Sequence, residues 1–190
     1  PGLIIGIIFL LPFIKFSFSN EGLVRFQQVS IFYQETKTSL LQTFFTNYWQ
    51  NISPMTLFWY GEPTIAHLTP YRMSLLHLVE IPFVFLGLFY VIRFLRREFL
   101  PLLVLLFVGF VPAAITTLNP HALRAIFSLP ALIILSALGF TYFIEKIRQL
   151  NVKRVILCIY ITTLLFSGTR FLYVYHNKYT IHAGWDWQLG

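Results

Sequence analysis

Five apolar stretches organise the chain, at residues 2–14, 75–92, 99–115, 125–144 and 155–173. A helix needs roughly 20 residues to cross a hydrocarbon core, with about 17 as the lower limit. The fourth and fifth stretches meet that length, the third is marginal, and the first reads as truncated at its start. Pro82, Pro101, Pro112 and Pro130 fall within these stretches. They would break soluble helices, but a membrane bundle re-satisfies the freed backbone groups through neighbouring helices. The pattern predicts an all-α integral membrane protein of about five transmembrane helices.

Between the first and second stretches lies a long connection, residues 15–74, with a different rhythm. Ser19 or Asn20 is placed to cap a helix with Glu21 in its first turn. Leu23, Phe26, Ser30 and Tyr33 follow at helical spacing. Leu41, Phe44, Phe45, Tyr48, Trp49 and Ile52 then share one side of a second helix, with Gln42, Thr46, Asn47 and Gln50 elsewhere. Such aromatic helices, too polar to span, are expected either in the plane of the membrane interface or as covers over the mouth of the bundle.

Composition agrees with the pattern. Hydrophobic residues make up 57% of the chain, charged residues 11%, and aromatics 18%, with 21 phenylalanines. Mean hydropathy is +0.70. A soluble domain of this length carries more charge on its surface. The single cysteine, Cys158, excludes a disulfide framework within the chain and a cysteine-based metal cluster. The net charge of +7 gathers in short loops, Arg93 to Glu98 and Glu145 to Arg154, and does not interleave with aromatics, so nucleic-acid binding is unsupported. The positive-inside rule places both loops in the cytoplasm. The long connection, the turn from Asn119 to Arg124 and the C-terminus then lie outside. The opening at Pro1 directly in an apolar stretch, and the abrupt ending after Trp185-Asp186-Trp187-Gln188-Leu189-Gly190, read as a fragment of a longer protein. We divide it into a bundle over residues 1–173, with the external loop 15–74, and the start of a truncated extracytoplasmic region over residues 174–190.

Candidate chemistry collects on the external side. Asn119-Pro120 pairs a preferred N-cap with the residue favoured at the first helical position. The fourth span is therefore expected to begin there, with unpartnered N–H groups carrying partial positive charge. His121 and Arg124, three residues apart, then share a face. Together these groups form a phosphate-sized anion site. The competing reading is an arginine snorkelling to lipid headgroups, and on residue types alone it stands ahead. The loop from Gly61 to Arg72 adds Glu62, His67, Tyr71 and Arg72. Glu62 and His67 are weak candidates for a divalent cation, since two ligands do not make a site. Glu80, near the outer end of the second span, is placed to pair with His77 or with an arginine of another helix. Arg25, on the first amphipathic helix, could reach a lipid phosphate or stand as a surface cation. No Gly-rich nucleotide loop, nucleophile elbow or His pair on one helix face occurs.

In the stretch NPHALRAIFSLPALIILSALGF, an external Pro-His-x-x-Arg turn leads into a Pro-containing span. With LFWYGEPTIAHLTPYRMSLLHLVEIPFVFLGLFYVIR, EGLVRFQQVSIF and the closing HAGWDWQLG, it resembles the C-terminal part of a GT-C membrane glycosyltransferase. The relatives are the protein-mannosyltransferase and aminoarabinose-transferase superfamily, glycosyltransferase family 39. The resemblance implies transfer of a sugar from a polyprenyl-phosphate carrier to a lipid, glycan or protein acceptor at the extracytoplasmic face of a bacterial or archaeal plasma membrane. A carboxylate base activates the acceptor in such enzymes. It belongs to an external loop near the N-terminus, upstream of this chain, so the fragment is expected to be inactive alone. A cation stabilises the charge developing on the departing phosphate. The resemblance therefore turns the choice at Arg124, His121 and Asn119 towards a donor-phosphate site. Arg72, Tyr71, His67, Arg25 and Glu80 stand behind them. It leaves metal dependence open, because relatives differ. The main rival is a transporter or flippase for lipid-linked or anionic substrates, which would place polar groups or broken helices near the bilayer midplane. A structural membrane subunit without a site is the third reading.

Overall fold

The computed structural model of the chain describes residues 11–12, 15–17, 19–33, 39–61, 73–94, 97 and 99–179, with Arg25 described by its backbone only. Every named element among them is helical, and the sole β feature is an isolated antiparallel bridge between Ser30 and Thr116. The order is α1 (Asn20–Val29), α2 (Leu40–Ile52), α3 (Ile81–Phe94), α4 (Leu100–Val108), α5 (Val111–Ala114), α6 (Leu129–Lys146) and α7 (Leu150–Val174). Short 3-10 turns precede α3 and α6, and π-helical segments lie at Met55–Tyr60 and Tyr175–Tyr179.

The two helices expected in the long connection form where the spacing puts them. Ser19 Oγ accepts the N–H of Gly22 at the start of α1, with Glu21 in the first turn. Ser39 Oγ accepts the N–H of Gln42 at the start of α2. Each hydroxyl satisfies one of the donors that a helix N-terminus leaves unpaired.

The expected five spans are not reached. Two helical stretches among the described residues are long and apolar enough to cross a membrane, Ile126–Lys146 with 21 residues and Leu150–Tyr179 with 30. The second apolar stretch gives only the 14 residues of α3. The third is divided into α4 and α5. Pro112 carries no N–H to continue the hydrogen-bond ladder, so it opens a new short helix in place of extending the old one. Of the first stretch, all but residues 11 and 12 lies outside the described residues. At the other end, the helix continues past the expected limit of 173 through Tyr179. The remainder of the proposed C-terminal region, residues 180–190, also lies outside the described residues.

The main contact is a seam between α3 and α6. A β-carbon on Gly87 would stand 1.9 Å from the carbonyl oxygen of Leu135, and one on Gly139 would stand 1.8 Å from that of Phe83. The two backbones touch because both residues lack side chains, the device that lets helices associate where water provides no driving force. The helices run parallel. Leu75, ahead of α3, shares a small cavity with Leu129 at the start of α6, whereas Tyr90 and Phe94 meet Tyr142 and Lys146 at the far end. The positive ends of both helices, Arg93 and Lys146, therefore lie on the same side of the bundle. Helix α4 returns from that side to the start of α6, and Val91, Leu106, Phe110, Ala131 and Leu135 form the buried centre.

An amide clamp and a groove at one end of the bundle

The turn from Thr116 to Arg124 is built by three segments that meet at the end opposite Arg93 and Lys146. The chain leaving α1 pairs with the chain leaving α5. Ile31 N–H donates to the Ile115 carbonyl at 3.0 Å, and Thr117 N–H donates to the Val29 carbonyl at 2.9 Å. Helix α2 then closes over both. Asn47 Nδ2 donates to the carbonyls of Ala114 and Thr116 at 3.2 and 2.9 Å. Asn51 Oδ1 accepts the backbone N–H of His121 at 3.0 Å, and Asn51 Nδ2 donates to the Asn47 carbonyl and to Asn119 Oδ1. Asn119 Nδ2 in turn donates to Gln50 Oε1. Asn47, Asn51, Thr116 and His121 are all buried. Buried polar groups are stable only when they are hydrogen-bonded, and these carboxamides meet that requirement by bonding the turn.

Tyr48, on the same helix, donates its hydroxyl to the Phe107 carbonyl at 2.9 Å and sets its ring edge-on to Phe110. Burial pushes the Tyr48 pKa above its ordinary value, which keeps the phenol protonated and donating.

This geometry corrects the expected helix start. The peptide between Asn119 and Pro120 is cis, and the residues after it form turns and then a 3-10 segment. The α-helix begins at Leu129, with Pro130 in its first turn. Asn119 does not cap it, because its carboxamide is engaged by α2. The His121 N–H, expected to be free for an anion, bonds Asn51 instead. The imidazole of His121 is buried, while Arg124 is half-buried in the turn. A cavity of about 150 Å³ beside the turn is lined by Leu57, Leu75, Ala122, Leu123, Ile126 and Leu129 among others, and neither His121 nor Arg124 lines it.

The other candidates separate. Glu80 is buried at the same end of the bundle, where its carboxylate accepts the backbone N–H of His77 at 2.9 Å and fixes the start of α3. Its link to His77 thus runs through the main chain. Glu62, His67, Tyr71 and Arg72 lie outside the described residues, as does the side chain of Arg25. Among the described residues no group of three or more His, Cys, Asp or Glu is placed to hold a metal.

Two features of this end went unnoticed in the sequence. One is the pair Asn47 and Asn51, whose i, i+4 spacing in an uncharged helix was the available signal. The other is a groove of about 730 Å³ between residues 73–79 and the last turns of α7. Its walls include Phe58, Trp59, Leu78 and Phe166, with His77 and Arg170 as its titratable lining. Arg170 was legible only as a lone cation near the end of an apolar stretch.

Compared with known protein families, with curated proteins and with solved structures, the chain matches none.

Proposed function

We propose that the chain is an integral membrane fragment of a polyprenyl-phosphate-sugar-dependent glycosyltransferase, with its donor site at the extracytoplasmic end of the bundle. The observation that carries this reading is where buried polarity lies. Ser30, Asn47, Asn51, Thr116 and His121 surround the Asn119 turn, and Glu80 and Ser128 stand at the starts of α3 and α6. Among the described residues, Ser136 is the one buried polar group farther along a candidate span. A transporter concentrates such groups near the midplane, whereas an enzyme acting on a lipid headgroup needs them at a helix end.

The neighbouring groove has the character an amphiphile requires, with apolar walls and a guanidinium at the polar end. Arg124, half-buried in a clamped turn, is the cation assigned to the donor phosphate, and Arg170 is the competitor within the groove. The basic ends of α3 and α6 face the cytoplasm in this reading. Donor binding needs no acceptor-activating carboxylate, so it is the activity to measure.

The test is binding of farnesyl phosphate against farnesol to the purified chain in nanodiscs. The phosphate compound should bind more tightly, and Arg124→Ala should weaken it about tenfold or more, the worth of a charge-assisted contact. Equal binding of the two compounds would remove the donor site. A loss seen with Arg170→Ala and not with Arg124→Ala would move the phosphate into the groove.

A further inference from the structure

Helix α2 buries two amides, with Tyr48 and Ile52 partly buried beside them, and leaves an apolar stripe outside. The face it turns to the protein carries Asn47 and Asn51, while Leu41, Phe45 and Trp49, each one turn apart, are 72%, 64% and 70% exposed. Gln42, Thr46 and Gln50 are exposed beside that stripe, and the helix contains no charged residue. Exposed Met55, Trp59 and Tyr60 continue the apolar surface along the following segment.

The position of the helix says what covers this stripe. Through the clamp, α2 is fixed to the turn that feeds the first of the two candidate spans, so it sits level with the end of a helix long enough to cross a membrane. That level is the boundary between headgroups and acyl chains. With 13 residues, α2 is too short to cross the hydrocarbon itself. An uncharged helix with one aromatic stripe and flanking amides and hydroxyls fits that boundary, where tryptophan is enriched.

We infer that α2 lies in the plane of the membrane interface, with Leu41, Phe45 and Trp49 inserted among lipids and its Asn47–Asn51 face holding the Asn119–Arg124 turn. The bilayer surface is thereby mechanically linked to the turn through one rigid helix. The inference rests on the membrane reading above, but not on the transferase activity.

Fluorescence quenching in vesicles of phosphatidylcholine brominated at shallow or deep acyl positions tests it. Trp49 is made the sole tryptophan by Trp59→Phe, Trp185→Phe and Trp187→Phe, and circular dichroism checks the helix content. A second protein adds Trp49→Phe and Phe166→Trp, reporting from an exposed position on α7. The shallow quencher should dim Trp49 about twofold more than the deep one, as expected for a helix seated at the headgroup boundary. If the α7 reporter is quenched and Trp49 is not, protein covers the stripe and the inference fails while the membrane reading stands. If neither is quenched, the membrane reading itself fails. Stronger quenching of Trp49 by the deep probe would also overturn the in-plane placement.

Discussion

The two helices α6 and α7 are close in hydropathy, 2.0 and 1.8 over their most apolar windows, yet 33% of that window is buried in α6 and none in α7. Their glycines make the difference concrete. A β-carbon on Gly139 of α6 would collide with the backbone of α3, whereas one on Gly168 of α7 would meet nothing within 4 Å. Helix α7 meets the segment Leu78–Glu80, and its Tyr160 stacks on Phe140 at 4.2 Å and meets Phe83 edge-on. Hydropathy records that a helix rejects water. It does not record whether protein or another apolar medium takes water's place. The comparison teaches that shape, and not hydropathy, holds α6 against its neighbours.

The comparison can be broken most sharply at Gly139. Gly139→Leu should destabilise the bundle by about 3 kcal/mol or more, since overpacking against a backbone leaves nothing that can give way. Reversible unfolding in mixed micelles would read this as a lower denaturant midpoint, and an unchanged midpoint would contradict the seam.

The start of α6 is secured as well, by the clamp, which α7 lacks. Asn51→Leu strands the His121 N–H and Asn119 Oδ1 and should cost about 2 kcal/mol, the usual penalty for buried groups left unpaired. Faster proteolysis within residues 116–125 would place the damage at the turn, and wild-type resistance there would argue against the clamp.

A smaller effect follows at Tyr48, where Tyr48→Phe removes one hydrogen bond worth about 1 kcal/mol. Because the folded pKa is raised, the stability tied to this phenol is fully present below the ordinary phenol value. It is lost as pH rises through the folded value. Tyr48→Phe should flatten that alkaline decline in a pH series of unfolding midpoints, and an unaltered slope would show that Tyr48 does not cause it.

Least of all should change at Gly168. Gly168→Ala should raise stability by about 0.5 kcal/mol through helix propensity alone. A marked loss would mean that α7 has a partner at that face.

The candidate site was partly legible in the sequence. The capping serines Ser19 and Ser39 precede their helices at positions where a hydroxyl reaches an unpaired N–H, which is local chemistry. At Ser39 the aromatic spacing that follows is the stronger signal and masks the cap. At Asn119-Pro120 the same local logic failed. Those residue types cap helices well, but Asn47, Gln50 and Asn51 from α2 compete for the carboxamide, and that contact spans nearly seventy positions of sequence. The spacing sets Leu41, Phe45 and Trp49 with Phe44, Tyr48 and Ile52 on one apolar side, and the clamp divides that group between outside and inside.

By itself, the sequence determined that the described part of the chain is helical, where α1 and α2 run to within a few residues, and that α6 and α7 are apolar over a membrane's thickness. Those properties depend on the spacing and hydrophobicity of neighbouring residues. Only the tertiary structure decided which face of α2 points inward, where α6 begins, and which apolar helix is packed. Each of those is a competition between partners distant in the chain, settled by backbone contact at Gly87 and Gly139 and by carboxamides that must find hydrogen bonds once buried.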